Sequence, residues 1–475
     1  MRSAPARLDV LGGLAAQAGG TLAQIALPLR VTVTLQPRAD SLLIIESDQI
    51  SPPVGEGQVT FDLRKLHQAG DPTGEWIPAR EVAALLQGPA QWASPLVALW
   101  YTLLTSHPPK TPAAVVPATA PHDAPSGPGA TLLIRSTIPL GAGQASSTAL
   151  LAATLLAWCD ARQIHMEPLD QALAIQRAES LADSHGGPAH AIDALTCLLA
   201  DTSAPSSDAS APRPRLLRYS AQPHQFVGFV PLPDDVRILA LDTGVRYTAA
   251  NETLENLRLA GAMGFRIIET IYRDLGQRHT PLHGYLANVS PLLYRQYFRA
   301  LTPRRMRGSD FIRTYGELPE RAGRLDPAAM YRVRTAVDHL ISEHEHAEQF
   351  LQAIEELSED APDGQPRNLT GLERERLLAR AGRLLLASHH SYRLRLELSC
   401  READWLVDRI MEAGPDKGLF GARITASGGG GTVALFLQNS RRAQDALLDV
   451  YNAYNKITGL ALGISEAGTS PPLPQ

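Results

Sequence analysis

A glycine- and serine-rich turn is the segment of this chain best suited to chemistry. It reads Pro-Leu-Gly-Ala-Gly-Gln-Ala-Ser-Ser over residues 139–147, after a strand-like run and before a long apolar run typical of a helix. Gly141 and Gly143 allow a tight turn and a close approach of the backbone to a ligand. Ser146 and Ser147 fall where the helix begins, at unpaired N–H groups and the positive end of the helix dipole. These features predict a cradle for an anion, and phosphate is the anion most often held this way.

Two familiar phosphate motifs do not fit this turn. It lacks the Lys-Ser/Thr ending of a P-loop. It also has Ser146 where the dinucleotide-binding pattern requires its third glycine. A plain strand-to-helix turn therefore stays open as an alternative when the segment is taken alone.

Two other segments carry glycines beside polar residues. Arg7-Leu8-Asp9-Val10-Leu11-Gly12-Gly13 places two charged side chains on a strand next to paired glycines. Residues 421–433 place four consecutive glycines, 428–431, between two strand-like runs. Such a glycine run permits positive φ angles and close backbone contact, but it is also common at a hairpin tip.

The elements that must position these segments belong to an ordinary globular chain. It has 475 residues, of which 44% are apolar and 20% charged. A chain of this length exceeds one ordinary core, so two domains are expected. We place the boundary near Leu232, with an amino-terminal domain over 1–232 and a carboxy-terminal domain over 233–475.

Charge, cysteines and apolar runs exclude several classes of partner. The formal net charge is −5 with no basic block, so no nucleic-acid partner is expected. Three widely spaced cysteines predict neither a disulfide framework nor a metal pair. The longest apolar run, Thr148–Cys159, is too short to cross a bilayer, and the amino terminus does not resemble a signal peptide. We expect a cytoplasmic protein without a membrane partner; its oligomeric state stays open.

The hydrophobic pattern predicts an order of strands and helices. Strands are expected within Ala6–Val33, at 130–138, at Val236–Asp242 and twice within Gly421–Leu437; helices are expected over most of Ile77–Ser106, in 148–199, over most of 251–411 and at Arg441–Tyr454; loops are expected at 108–128 and 202–214.

Taken together, the order and spacing of the three motif segments resemble the GHMP kinase family, and its arabinokinase and galactokinase branch in particular. Three further segments are similar to that branch: 187–193 (Gly-Pro-Ala-His-Ala-Ile-Asp), 242–246 (Asp-Thr-Gly-Val-Arg) and 260–264 (Ala-Gly-Ala-Met-Gly). The resemblance covers nearly the whole chain. It implies an α+β fold with an amino-terminal domain like ribosomal protein S5 domain 2 and a ferredoxin-like carboxy-terminal domain.

The resemblance also implies roles for individual residues. Asp193 would take the proton from the attacking hydroxyl, and Arg7 would keep it ionised and stabilise charge in transit. Glu179 and a serine of the 146–147 pair, taken here as Ser147, would hold Mg²⁺ through hard oxygen ligands. The remaining implied contacts are to ATP (Pro139, Gly141, Gly143, Ser146, Ser147, Thr148, Gly428, Gly429 and Gly430) and to substrate (Asp9, Gly12, Gly13 and His190).

Each implied role has a structural alternative. Asp193 and Glu179 also fit solvated helix faces, and His190 also fits a residue packed behind its loop. His344, His346 and Glu348 lie in a polar run, which predicts a solvated helix face rather than a metal cluster. The pair His389–His390 is also predicted to be solvated.

The positions that read the sugar in this branch are altered. An Asp-Tyr pair expected after the first motif is Ala16-Gln17 here, and a later tyrosine aligns near Leu254. A site built to hydrogen-bond hydroxyls discriminates strongly, so these changes predict altered or relaxed specificity. We therefore expect an ATP-dependent sugar 1-kinase of the L-arabinose, galactose or uronic-acid type. The alternatives are a non-catalytic nucleotide- or sugar-binding regulator and a kinase for a non-sugar alcohol.

Overall fold

The computed structural model describes residues 1–50, 57–68, 75–106, 127–182, 191–199, 214–222, 224–246, 251–276, 282–319, 322–358, 369–429 and 431–467. By their internal contacts these residues form two compact units. Unit 1 comprises Met1–Ala6, Leu29–Ile138 and Ala145–Ala204, and unit 2 comprises Arg7–Pro28, Pro139–Gln144 and Pro205–Gln475. The family-domain boundary near Leu232 stays a prediction, because these units follow contacts rather than chain order.

Unit 1 combines part of a sheet with four helices. Its elements are β3 (Leu42–Ser47), β4 (Gln58–Asp62), α1 (Ser94–Ser106), β5 (Ala130–Ser136), α2 (Ser146–Arg162), α3 (Pro168–Ala182) and α4 (Ala191–Leu199), and it shares β1 (Arg2–Leu11) and β2 (Thr21–Pro37) with unit 2. Within unit 1 the strand order is β4-β3-β5-β2, in which only β3 and β5 are parallel. Helix α3 packs against α1, α2 and α4, so the three helices that carry the predicted site residues of unit 1 are in mutual contact.

Unit 2 contains most of the carboxy-terminal half of the chain. Its strands are β6 (Arg215–Ala221), β7 (His224–Pro231), β8 (Val236–Asp242), β9 (Met306–Arg307), β10 (Met330–Tyr331), β11 (Leu419–Ile424), β12 (Thr432–Gln438) and β13 (Gly463–Glu466); its helices are α5 (Asn251–Asp274), α6 (Pro291–Leu293), α7 (Gly308–Tyr315), α8 (Val333–Leu357), α9 (Gly371–His390), α10 (Arg401–Ala413) and α11 (Arg441–Thr458).

An antiparallel sheet forms the centre of unit 2. Its strand order is β11-β12-β8-β13, and helices α9, α10 and α11 pack on β11. Every residue of β11 is buried, and so are six of the seven residues of β12. Residues on both faces of these strands are buried, so the apolar residues run on without strict alternation, and Arg423 is a buried charge among them.

The pattern-based predictions agree with most of these elements. Strand β8 has the predicted bounds, β11 and β12 flank the glycine run, and α11 extends the predicted helix by four residues to Thr458. The predicted, largely helical segment Ile77–Ser106 is confirmed, but its first half consists of two short 3₁₀ helices before α1 instead of one α-helix. Pro78 and Pro89 fix φ and lack an N–H donor, which interrupts a continuous helix there. The predicted loops at 108–128 and 202–214 lie almost wholly outside the described residues.

Among the helices that the structure describes, none combines the length and apolar character needed to cross a membrane.

Candidate active site

In unit 2 the phosphate-type loop at 139–144 is held by donors from the other two motif segments. The guanidinium Nη1 of Arg7 donates to the carbonyl of Gly143 at 2.9 Å, and the Arg7 backbone N–H donates to the carbonyl of Gln144 at 3.2 Å. The hydroxyl of Thr432, the first residue of β12, donates to the carbonyl of Ala142 at 2.6 Å. The three segments singled out in the sequence therefore meet within one unit.

These bonds decide which way the loop presents its N–H groups. In a trans peptide group the C=O and the following N–H point in opposite directions. Because the carbonyls of residues 142–144 face Arg7 and Thr432, the N–H groups of Gly143, Gln144 and Ala145 point away from those donors. Among the described residues none of the three N–H groups has a hydrogen-bond partner. Consecutive N–H groups arranged in this way form an anion-binding concavity.

Positive φ angles shape the same turn. Gly141 and Gly143 have φ of 69° and 79°, and Ala145, the N-cap of α2, has φ of 59°. A non-glycine residue in the left-handed region is strained and is found mainly where the surrounding structure enforces it. The turn is therefore a specifically held conformation, as the anion-cradle interpretation requires.

Asp9, assigned by resemblance to the substrate, is buried in unit 2. Its side chain is 1% exposed, and its Oδ2 accepts from Arg423 Nη1 at 3.1 Å and from the Ala426 N–H at 3.1 Å. Nearby, the N–H of Gly12 donates to Glu343 Oε1 at 3.3 Å. These contacts fix the strand and turn that carry Arg7, and the substrate roles of Asp9, Gly12 and Gly13 stay predictions.

Arg423, Asp9 and Glu343 form a buried ionic cluster. The Arg423 side chain is 0% exposed, and its Nη2 lies 3.7 Å from Glu343 Oε1, which also accepts from the Ser388 hydroxyl at 2.9 Å. Burial favours a raised pKa for the Glu343 carboxyl, but the positive charge of Arg423 acts together with His346 and His339, and their combined effect holds that pKa well below its usual range. Burial would also lower the pKa of Arg423, yet the carboxylates of Asp9 and Glu343 raise it. Glu343 and Arg423 are therefore both charged in the interior, and the Asp9 carboxyl is hydrogen-bonded to the same guanidinium.

The prediction of a solvated helix face at 342–349 is wrong, because side chains of this segment bind partners elsewhere in unit 2. Helix α8 turns Glu343 into the interior with 1% of its side chain exposed, while His344 Nδ1 accepts from the Thr21 N–H at 3.1 Å and Glu348 is bonded to Thr21 and Arg218. His389, also read as solvated, is fully buried and lies 3.4 Å from Asp404. No group of His, Cys, Asp and Glu suited to hold a metal occurs in the described part of the chain.

Unit 1 carries the other predicted residues on three contacting helices. Ser146 and Ser147 open α2, and the Ser147 side chain is exposed. The hydroxyl of Thr148 donates to Glu179 Oε1 on α3 at 2.6 Å. Asp193 lies in the first turn of α4 and is partly buried. This bond brings the start of α2 to the Glu179 carboxylate, and the metal-binding roles of Ser147 and Glu179 stay predictions.

Two predicted residues fall outside the described residues. His190 belongs to the segment 183–190, and Gly430 is the one undescribed residue of the glycine run.

Removal of the Thr148 hydroxyl tests whether it holds Glu179. We expect Thr148→Val to lower the free energy of unfolding by about 1–3 kcal/mol, because a hydrogen bond to a carboxylate is lost in a partly buried place. Thr154→Val on the same helix removes only a bond to the Leu150 carbonyl at 2.7 Å, which keeps its helical N–H donor. Urea denaturation of both variants makes the measurement, and equal losses would contradict a special role for the Thr148 bond.

Sequence reasoning missed three residues of this arrangement. Thr432, Arg423 and Glu343 were not singled out, since threonine in a strand and charges on a polar helix are common. Arg423 did offer one signal, because it is a charged residue inside a strand-like apolar run next to the glycines.

Two models of one protein family each match a segment of the chain. Residues 113–201 match the model described as "GHMP kinases N terminal domain", and residues 369–456 match "GHMP kinases C terminal". An L-arabinokinase from Arabidopsis thaliana is 26% identical over 72% of this chain, which covers 32% of that protein. Galactokinases from Chloroflexus aurantiacus and Mycobacterium tuberculosis are 30% and 26% identical over 65% and 93% of this chain, covering 60% and 90% of those proteins. The chain thus spans less than two thirds of the length of the Arabidopsis and Chloroflexus relatives.

Solved structures share the fold. A Lactococcus lactis galactokinase solved with galactose aligns with a TM-score of 0.64 and 16% identity, over 99% of this chain and 94% of its own. The mevalonate kinase of Methanococcus jannaschii aligns with a TM-score of 0.52 and 12% identity, over 98% and 96%. This likeness confirms the predicted two-domain α+β fold.

Proposed function

Because the chain belongs to the GHMP kinase family, we propose that it is an ATP-dependent kinase acting on a sugar at its anomeric hydroxyl. The observation that carries the proposal is the loop at 139–144, whose carbonyls are bound by Arg7 and Thr432 and whose N–H groups are left for an anion. A kinase needs such a cradle because phosphoryl transfer depends on positioning and on stabilising phosphate charge. The names of the arabinokinase and galactokinase relatives support a sugar as the acceptor.

Each step of the proposed phosphoryl transfer is assigned to particular groups of this chain. The N–H groups of Gly143, Gln144 and Ala145 bind ATP phosphate oxygens, aided by the amino terminus of α2. The acceptor hydroxyl attacks the γ-phosphorus, a new O–P bond forms, and the bond to the ADP oxygen breaks. Asp193 accepts the proton of the attacking hydroxyl. Arg7 stabilises the charge that develops during transfer.

The donor set of unit 1 suits Mg²⁺. Ser147 and Glu179 supply oxygen atoms of the hard type that this ion prefers. The Thr148 hydroxyl orients the carboxylate of Glu179 for that role. Bound there, the ion would neutralise phosphate charge in the ATP complex.

The sugar-reading positions support a changed specificity. Ala16 and Gln17 lie in the 3₁₀ helix Gly13–Ala18, and within the described residues Gln17 Oε1 is buried without a hydrogen-bond partner. Leu254 packs against the apolar core of unit 2 and offers no polar atom. Fewer hydroxyl contacts mean a smaller penalty for the wrong sugar, so we propose a substrate range broader than that of a strict galactose-specific site.

An ADP-release assay over pentoses, hexoses and uronic acids tests the proposed function. We expect Mg²⁺-dependent ADP release with at least one of these sugars and loss of that activity on chelation with EDTA. Phosphorus NMR should place the new phosphate on the anomeric oxygen. Binding of nucleotide and sugar without turnover across the panel would instead indicate a regulator with the kinase fold, and turnover only with non-sugar alcohols would refute the sugar assignment.

A further inference from the structure

We propose that Thr432 is a positioning residue through which the carboxy-terminal glycine-rich segment sets the geometry of the phosphate loop. The inference rests on the proposed function and assigns a specific role to a residue outside the glycine run. It depends on three features of unit 2: the hydrogen bonds of the Thr432 hydroxyl, the rigidity of its strand, and the close packing of the neighbouring glycines against backbone atoms.

The Thr432 hydroxyl has one proton, and the structure shows where it goes. That proton is donated to the Ala142 carbonyl at 2.6 Å. The hydroxyl oxygen is then free only as an acceptor, and the amide Nε2 of Gln144 donates to it at 3.2 Å. One side chain therefore binds the phosphate loop at two points, Ala142 and Gln144.

Both partners are shielded from water. Thr432 is 1% exposed and Gln144 is 2% exposed. Water cannot readily replace a lost bond in such a place, so removing the hydroxyl would leave the Ala142 carbonyl without its donor. A loop freed in this way can rotate the peptide group between residues 142 and 143 and lose the outward direction of the Gly143 N–H.

Thr432 itself is held rigidly. It pairs with Asp242 in the β12–β8 ladder, and its carbonyl accepts from the Thr425 N–H at 3.1 Å. The preceding carbonyl, of Gly431, accepts from the Thr243 N–H at 2.7 Å. A hydroxyl fixed by two neighbouring strands is suited to place a loop within a few tenths of an ångström.

Two of the described glycines in the run, Gly428 and Gly431, lie so close to backbone atoms of the protein that a side chain would not fit. A Cβ on Gly428 would lie 2.3 Å from the Leu398 carbonyl oxygen, and one on Gly431 would lie 2.2 Å from the Val245 carbonyl oxygen. The N–H of Gly429 donates to Leu398 at 2.7 Å. The glycines thus let the turn lie close to its neighbours, and Thr432 is the residue that reaches the phosphate loop.

The test compares variants that differ only in the bond they lose. Thr432→Val removes the hydroxyl at almost constant volume, Thr432→Ala removes it without a new methyl contact, and Thr432→Ser restores it. Thr302→Val is the matched control, because Thr302 is also fully buried in unit 2 and donates to a backbone carbonyl, that of Phe298, at 2.9 Å. Calorimetry measures the affinity for a non-hydrolysable ATP analogue, steady-state kinetics measure both KM values, and thermal unfolding measures stability.

We expect T432V and T432A to weaken nucleotide binding about ten- to a hundredfold while the acceptor KM stays within about threefold. T432S should bind nucleotide within about threefold of the wild-type chain. T302V also loses a buried hydroxyl, although the Phe298 carbonyl keeps the N–H donor of residue 302 at 2.9 Å. It should keep its nucleotide affinity, which separates positioning of the phosphate loop from the loss of a buried hydroxyl elsewhere in unit 2.

The outcomes separate the inference from the function on which it rests. Wild-type affinity in T432V or T432A, or equal weakening in T302V, overturns the role of Thr432 and leaves the kinase proposal standing. A wild-type chain that binds no nucleotide overturns the proposed function and the role of Thr432 with it.

Discussion

Asp193→Asn is expected to lower kcat by about a thousandfold or more and to leave nucleotide affinity within about threefold of wild type. The amide keeps the size of the carboxylate and can still accept a hydrogen bond, but it cannot take up the proton of the attacking hydroxyl. Asp193 lies in the first turn of α4, where the helix dipole favours the ionised carboxylate that a base requires. Steady-state kinetics together with calorimetry on the ATP analogue measure the two effects separately.

Asp170 provides the matched control for this prediction. It also lies in the first turn of a unit 1 helix, α3, but its side chain is exposed. Asp170→Asn is expected to keep near wild-type kcat. If D193N turned over sugar as fast as D170N, Asp193 would not be the base and the proposed mechanism would fail.

Arg423→Met is expected to destabilise the protein by about 3–5 kcal/mol. Methionine keeps the unbranched apolar stem of arginine but leaves the carboxylates of Asp9 and Glu343 buried without their cation. Uncompensated buried charge is among the costliest changes in a protein interior. Urea denaturation measures the loss, and Arg423→Lys, which keeps the cation, should lose less.

Two comparisons isolate the electrostatic part of this loss. Arg441 is paired with Asp445 at the surface of unit 2, with 87% of its side chain exposed, so Arg441→Met should cost less than about 1 kcal/mol. Adding Glu343→Gln to R423M removes one of the stranded charges and should recover part of the stability, giving a favourable coupling in the double-mutant cycle. A loss in R423M no larger than in R441M would show that the cluster does not depend on its cation.

Helix α8 illustrates why part of the site could not be read from the sequence. Residues 342–349 are polar at nearly every position, and such a run favours a solvated surface. Glu343 is nevertheless buried, because its partners come from distant parts of the chain: Gly12 lies 331 residues away and Ser388 lies 45 residues away. The preference of a residue for water is local information, whereas the presence of a counterion is decided by the fold.

The loop at 139–144 illustrates the opposite case. The sequence predicts its glycines and serines to lie between a strand and a helix. In the structure β5 precedes this segment in the chain and α2 follows it, as predicted. What the spacing did not supply was the direction of the peptide groups. That direction follows from Arg7 and Thr432, whose loop partners lie 136 and 290 positions away in the chain.

The sequence by itself predicted most of the strands and helices and located the segments that carry glycine and serine, because periodicity and local composition are properties of neighbouring residues. Its motifs resemble those of GHMP kinases, and the matches to the two GHMP kinase domain models agree with that resemblance. Tertiary structure alone decided that Asp9 and Glu343 are buried beside Arg423, and that Thr432 binds the phosphate loop. The reason is physical: the energies of ion pairs and hydrogen bonds depend on distances and directions, and those exist only once remote segments have packed.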